Sequence, residues 1–322
     1  MPRLSFALAL GAAALLPAAA AATTSFSLPG IANTPGLNGT RFESAVTLTN
    51  LGQTGGTVEI GLVTPGGVPA PAAVTRALAP GQTLPIPNAL RDLFGLDGTF
   101  GTLTIRSELP VDGRATTANT QSPAGTYGLG LPASGAGDVL LPGETGHALW
   151  VSHGPDTSRG FRTNVNVTFL SADSAVTISV FDETGLFRGS RAVSSPAPAV
   201  WQASVADIAA SADLPLGRVE IAVARGSAIA YAAVVDNVTG DGIAATAVRV
   251  APGPADWTLD GVALTFGANG TRWSTDVRLF NPSAAPLAVT LDAVGFAAPV
   301  PSLTRTVPAR GLLEIADVLG PS

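Results

Sequence analysis

Few side chains in this sequence could carry out acid–base or metal chemistry. The chain has two histidines and no cysteine, which excludes disulfides, thiol nucleophiles and thiolate metal ligands. His147 and His153 lie close together in sequence with Asp156 nearby, but no Gly-x-Ser-x-Gly or His-Glu-x-x-His motif accompanies them. We interpret both as solvated surface histidines, with weak metal binding on a shared strand face as the alternative. We therefore predict no catalytic residue, no cofactor and no enzymatic activity.

An oxygen-rich loop, residues 236–242, is the candidate metal site. Asp236, Asn237 and Asp241 place carboxylate and amide oxygens within a short stretch, and Ca²⁺ prefers such ligands. The loop departs from the EF-hand pattern, because Val238 and Gly240 stand where further ligands belong. Asp and Asn also stabilise turns by bonding to nearby backbone groups. We favour a turn here and keep calcium binding as the alternative.

Two tryptophans are candidates for binding a ligand such as a sugar. Trp201 and Trp257 lie in stretches rich in Pro and Ala, which we interpret as connections between strands. An exposed indole there would offer a flat apolar face with one polar edge. We favour packing between neighbouring repeats for both rings and keep ligand binding as the alternative. Trp150 lies in a predicted strand, where we expect it to be buried.

Composition and charge narrow the class of protein further. The chain has 322 residues, and its charged share of 12% is about half the usual ~25%. A net charge of −6 argues against nucleic-acid binding, which needs a basic face. Every basic residue is arginine, which suggests a GC-rich bacterial genome.

The first 22 residues have the pattern of a secretory signal peptide. Arg3 precedes an apolar run, residues 4–16, and an Ala-rich exit ends at Ala22. The alternative is an uncleaved membrane anchor, for which the run is short. We expect a secreted protein, periplasmic or extracellular, that has no membrane span after cleavage.

Three segments of the remaining chain align with one another. They run over residues 38–50, 158–169 and 269–281, and they place Phe42, Phe161 and Trp273 in register. Residues of alternating polarity follow each ring, which is typical of a half-buried β-strand. We predict that these three rings belong to the core.

Further strands follow in each copy and give about seven short strands per copy, separated by Pro- and Gly-containing turns. We predict an all-β chain of tandem immunoglobulin-like β-sandwich domains, two complete and one partial. The expected divisions are residues 1–22 (signal peptide), 23–133, 134–250 and 251–322 (partial). Residues 204–212 are the best helical candidate, and the Gly-rich residues 125–137 are interpreted as turns and a boundary.

The third copy stops before its last two strands. An incomplete reading frame, a half-domain that packs on the second copy, and a gap filled by a strand from another molecule all remain open.

Four different short motifs stand out: Pro-Gly-x-Thr in residues 80–83, Gly-Thr-Tyr-Gly in residues 125–128, and the longer stretches 231–241 and 270–282. In these motifs the chain resembles secreted bacterial proteins with tandem immunoglobulin-like repeats, over nearly all of its mature length. The resemblance implies an extracellular location and supplies no catalytic residue. We expect a non-enzymatic structural or surface-interaction protein whose partner is a surface protein or a glycan. The alternatives are a carbohydrate-binding or accessory module of a secreted hydrolase system, and a strand-complemented fibre subunit.

Overall fold

The computed structural model describes residues 23–122, 125–209, 211, 213–250, 256–296 and 300–320. The predicted signal peptide lies outside these residues. The described chain is all-β, with several antiparallel sheets. Within it, no helix has the length and apolar character needed to cross a membrane. We call residues 23–133, 134–250 and 251–322 the first, second and third regions, after the predicted divisions.

The first region forms one continuous sheet path, in the order β4-β3-β6-β1-β2-β7-β8, with β5 beside β2. Strand β1 pairs with β6 over most of its length and with β2 at its end. Gly30 has a φ of 72°, which favours glycine, and it lies at a bulge within the β1–β6 pairing, between Leu28 and Ile31. The strands are β1 (Thr24–Pro35), β2 (Arg41–Asn50), β3 (Gly56–Val63), β4 (Val74–Leu78), β5 (Thr83–Ile86), β6 (Thr99–Ser107), β7 (Val111–Asn119) and β8 (Tyr127–Leu131).

Side chains from both halves of this path meet in one buried cluster. The predicted alternation in β2 is confirmed from Ser44 onward, since Ser44, Val46 and Leu48 are buried and the residues between them are not. A short helix, α1 (Ala89–Phe94), closes the cluster with Leu90 and Leu93. Asn88 caps it, accepting a hydrogen bond from the Arg91 amide.

The second region has two sheets whose inner side chains form a second buried cluster. Their orders are β13-β10-β15-β16 and β12-β11-β14-β9-β17. The predicted helix is present but shorter, as α2 (Val205–Ala209). The strands are β9 (Thr145–His153), β10 (Phe161–Phe169), β11 (Ser174–Asp182), β12 (Phe187–Ser195), β13 (Ala199–Ser204), β14 (Leu214–Arg225), β15 (Ala228–Asp236), β16 (Gly242–Thr246) and β17 (Val248–Arg249).

The third region consists of three separate two-stranded pairs, β18-β19, β20-β23 and β21-β22. It buries few large side chains in its described part, among them Val277, Val307 and Leu312. The strands are β18 (Leu264–Phe266), β19 (Arg272–Ser274), β20 (Val277–Phe280), β21 (Leu287–Leu291), β22 (Leu303–Val307) and β23 (Leu312–Ile315).

Three predictions of burial and local structure were wrong. Trp273 is 61% exposed and Phe161 36%, while Phe42 is only half-buried. Phe42 and Trp273 lie at the start of their strands, against Gly36 and Gly267 of the preceding turn, rather than between sheets.

The other two errors concern residues that we interpreted as connections or turns but that lie in strands. Trp201 lies within β13, where it pairs with Val167, and not in a connection. Residues 127–131 of the Gly-rich stretch form β8, which pairs with β7. Glycine permits this close approach, because a Cβ at Gly128 would lie 2.4 Å from the Thr117 carbonyl oxygen.

A similar turn follows β2 and β20. Asn50 is fully buried, and its amide nitrogen donates to the carbonyl oxygens of Thr54 (2.8 Å) and Ala79 (3.0 Å). Its amide oxygen accepts from the Gly52 amide at 2.9 Å. Asn281 makes the corresponding bonds after β20. Each asparagine thus satisfies backbone groups of two separate loops.

We expect Asn50→Asp to lower the free energy of unfolding by about 3 kcal/mol, because a carboxylate cannot donate to two buried carbonyls. Urea unfolding followed by fluorescence measures the change. Thr47→Asp is the control, since it places the same charge on the exposed face of the same strand. Equal stability of the two variants would show that the Asn50 bonds contribute nothing.

Candidate functional site

The carboxylates of the candidate calcium loop bond to backbone amides. Asp236 Oδ1 accepts from the amides of Val238 (2.9 Å) and Thr239 (2.7 Å) and from the Thr239 hydroxyl. Asp241 Oδ1 accepts from the amides of Gly242 (3.0 Å) and of Gly128 in the first region (3.1 Å). Within the described residues, no three His, Cys, Asp or Glu side chains form a group that could hold a metal ion. The two aspartates therefore shape a turn and attach it to the first region.

Asn237, the third candidate ligand, is buried and joins two loops of the second region. Its amide oxygen accepts from the Arg162 guanidinium at 2.7 Å, and its amide nitrogen donates to the carbonyls of Asp156 (3.2 Å) and Arg159 (3.1 Å). Burial lowers the pKa of Arg162, against the opposing charge of Asp236. Asn237, held by a buried arginine, thus attaches residues 156–159 to the turn at 236–241.

The first region docks on these two loops, and we call this contact the loop joint. Asn38 donates to the Thr157 carbonyl oxygen at 2.7 Å and to the Asn237 carbonyl oxygen at 3.4 Å. Asn119 donates to the Thr239 carbonyl oxygen at 3.3 Å. The residues with the best metal-binding chemistry in the sequence therefore connect two regions. Sequence spacing gave no signal of these partners, which lie far away along the chain.

A second cluster of charged groups lies between the second and third regions, and we call it the arginine joint. The Arg218 guanidinium carbon lies 4.0 Å from the ring centre of Phe181 and 4.4 Å from that of Phe280 in the third region. Arg218 is buried and pairs with Glu220. His147 completes the cluster, 3.6 Å from Glu220 and with its ring centre 5.2 Å from that of Phe280.

A parallel contact extends this joint. Arg278 of the third region stacks over Trp150 at 4.1 Å and pairs with Glu314 at 2.7 Å. Trp150 in turn meets Phe161 edge to face, with ring centres 5.8 Å apart. Trp150 is half-buried by these contacts rather than by the core. Two arginine–aromatic stacks therefore connect the second and third regions.

The two histidines are half-buried and lie at opposite ends of β9, so the interpretation as solvated residues was wrong. His147 is opposite Glu220 and His153 is opposite Leu214. Burial lowers the pKa of His147 although Glu220 opposes the shift. Burial also lowers the pKa of His153, whose Nδ1 accepts from the Thr163 amide at 3.3 Å. Both side chains are therefore neutral near pH 7.

Trp201 lines a shallow groove of about 270 Å³ at the boundary of the first and second regions. Pro65 and Phe100 of the first region form the facing wall, and the Val200 amide donates to the Thr64 carbonyl oxygen at 2.8 Å. The indole packs against the second buried cluster, and the Arg191 guanidinium lies over it at 5.5 Å. Such a ring does not present the free flat face that stacking on a sugar requires.

Trp257 is 74% exposed and stands in the third region, away from the Trp201 groove. The sequence did not predict that Phe266 and Trp273 would be exposed there as well. No family model, curated protein or solved structure matches this chain.

We expect Asn38→Ala to loosen the loop joint. Asn269 provides a matched control, because both residues have a φ of 57° in the same type of turn, so Ala strains both backbones equally. Among the described residues, the Asn269 side chain makes no hydrogen bond.

The readout is hydrogen exchange of residues 236–241, which should quicken in Asn38→Ala and not in Asn269→Ala. The difference between their unfolding free energies should be about 1 kcal/mol. Unchanged exchange in Asn38→Ala would contradict a role in the joint.

Acid should weaken the fold through His147. A histidine whose pKa is lowered by folding binds a proton more readily when unfolded, so stability is full above about pH 6.5 and falls below it. Urea titrations between about pH 5 and 7 measure how the free energy of unfolding changes with pH, and His147→Phe should reduce this pH dependence. His153→Gln should remove a separate part of it. An unchanged pH dependence in both variants would contradict its assignment to the two histidines.

Proposed function

We propose that this chain is an exported, non-enzymatic structural or surface-interaction protein of bacterial origin, built from tandem immunoglobulin-like β-sandwich repeats. The observation that carries the proposal is the position of its buried charged groups. Arg162 and Arg218 are the buried arginines among the described residues: Arg162 bonds to Asn237, whose loop the first region contacts, and Arg218 stacks on Phe280 of the third region. Charged side chains that could otherwise take part in catalysis or metal binding are here placed in or next to contacts between neighbouring regions.

Strand pairing supports the repeat. Val46 of β2 is opposite Ile86, and Val277 of β20 is opposite Ile315, at the positions that the sequence alignment equates. In the second region, the buried cluster contains side chains from two separate sheets, as a sandwich requires. Successive sandwiches with hydrogen-bonded joints would hold a binding surface at a fixed distance from its anchor.

The carbohydrate-binding alternative rests on Trp257, whose ring is open to solvent. The Trp201 groove does not support this alternative, because the Arg191 guanidinium lies over the indole ring. A glycan array probed with Trp257→Ala as the control separates this alternative from a purely structural role.

The structural proposal predicts that the regions hold fixed distances. Because the chain has no cysteine, introduced cysteines at the exposed residues Thr47, Thr177 and Thr290 can carry spin labels specifically. We expect narrow distance distributions for both label pairs that include position 177. Arg218→Ala should broaden the 177–290 distribution and leave the 47–177 distribution unchanged, since it cuts only the arginine joint.

Broad distance distributions in the labelled protein that keeps Arg218 would contradict a rigid array.

Expression of the full chain in a bacterial host tests the export that the proposal includes. Export with cleavage after Ala22 is the expected result, and an intact chain retained in the cytoplasm would contradict the exported role.

A further inference from the structure

The first and second regions share another contact besides the loop joint, and we call it the threonine joint. The hydroxyl oxygens of Thr102 on β6 and Thr168 on β10 lie 2.7 Å apart, and both side chains are buried. Their neighbours Leu103 and Val167 belong to the two buried clusters. Because side chains alternate along a strand, the threonines lie on the opposite faces of β6 and β10, away from those clusters.

The arginine joint uses the equivalent positions one region further along the chain. Residues 101–106 align with residues 217–222, which equates Thr102 with Arg218. The aligned segments 158–169 and 269–281 equate Thr168 with Phe280. The hydrogen bond between the two threonines therefore corresponds to the stack of Arg218 on Phe280.

A backbone hydrogen bond also recurs in both joints. The Val200 amide donates to the carbonyl oxygen of Thr64, and the Leu312 amide donates to that of Glu183, each at 2.8 Å. The two donors are the cross-strand partners of the aligned residues on β10 and β20. The two acceptors are the first residues after β3 and β11. The third region thus docks on the second much as the second docks on the first.

A contact of this kind is heterologous, because two different faces meet in it. Heterologous contacts can continue from molecule to molecule without closing. Equivalent faces on another copy of the chain would fit each joint unless side chains distinguish the faces. The differences between the two joints are therefore the places to look for such a distinction.

The first difference is Trp150 of β9, which stands where the first region has Gly30. Both residues have a φ of 72° at a bulge of their strand, a backbone conformation that is strained for tryptophan. Even a Cβ at Gly30 would lie 3.0 Å from the Tyr231 hydroxyl oxygen of the second region. The Trp150 ring instead receives Arg278 of the third region, at 4.1 Å. A face that carries Tyr231 therefore fits against the glycine and not against the tryptophan.

The second difference is the exchange of threonine for arginine. The Arg218 guanidinium lies between the rings of Phe181 and Phe280, and against a threonine it would lose the second ring. The Thr102 hydroxyl is buried, and against phenylalanine it would lose the hydrogen bond that Thr168 supplies. Each side chain therefore suits the residue that it faces and not its counterpart in the other joint.

We propose that Gly30 with Thr102, and Trp150 with Arg218, are the specificity determinants of the two joints. The first pair accepts the second region, and the second pair accepts the third region and rejects a face that carries Tyr231. One copy of the second region is thereby kept from stacking on another, and the order of the regions is fixed. This inference rests on the connecting role proposed above and adds the side chains that select each neighbour.

Exchanging the chemistry of the arginine joint tests the pairing in the full chain, with spin labels at positions 177 and 290. Arg218→Thr with Glu220→Thr gives the second region the threonines that the first region has at these positions. Phe280→Thr makes the matching change in the third region. Each change alone should abolish the narrow 177–290 distance distribution, and the two together should restore it. The 47–177 distribution should stay narrow throughout, which shows that the second region remains folded.

The role of Trp150 is tested by Trp150→Gly, which relieves the strained backbone while removing the ring. The 177–290 distribution should broaden, and the 47–177 distribution should not change. Arg278→Ala should broaden the 177–290 distribution to the same extent, and combining the two substitutions should add nothing, because both remove one stack.

Two results would overturn the pairing while leaving the rigid array intact. One is a 177–290 distribution that stays narrow when only one side of the joint is changed. The other is a combined threonine variant whose distribution is as broad as those of its two parents. Independent, additive effects of Trp150→Gly and Arg278→Ala would remove Trp150 from the determinants. A broad distribution in the chain that carries only the labels would instead contradict the connecting role itself, and the pairing with it.

Discussion

Strand pairing combined with one-sided apolar burial is the constraint on which this structure depends. The chain has no disulfide to reduce the entropy of its unfolded state, and the two α-helices in the described part have only six and five residues. Each strand must therefore bury one face and satisfy its backbone against neighbours. The first and second regions meet both requirements, and each has a buried cluster built from several strands. The third meets them only in part.

Polar side chains form many of the contacts between the regions. Burying a charge is costly unless partners surround it. Arg218 has Glu220 and two aromatic rings, and Arg162 has the Asn237 amide oxygen. The Arg218 stack on Phe280 crosses from the second region to the third, and its geometry is stricter than that of a contact between apolar surfaces. The low charge content of the chain therefore matters less than where its few charges lie.

Alternation along a strand could be predicted from the sequence because it depends on near neighbours, as β2 illustrates. Burial of Trp273 could not, because it depends on whether a second layer covers that face. The Asp236 loop shows the same division. Its turn-forming bonds are local, whereas Asn38 and Gly128 reach it from the first region. Trp201 was misplaced because Ala and Pro around it resemble a connection, while its pairing partner Val167 lies on a distant strand.

Exposure of Trp257 has two explanations, and the exposure of its neighbours separates them. A sugar platform is an aromatic ring held open by a surface whose other side chains are covered. Here the ring is exposed together with Leu259, whereas Leu28, at the position that the sequence alignment equates with Leu259, is fully buried. A ligand that covered only the indole would leave the leucine in solvent. Trp257 and Leu259 are two residues apart, so one paired strand would cover both, and the requirement for one-sided burial that builds the first region explains their exposure as an uncovered strand face.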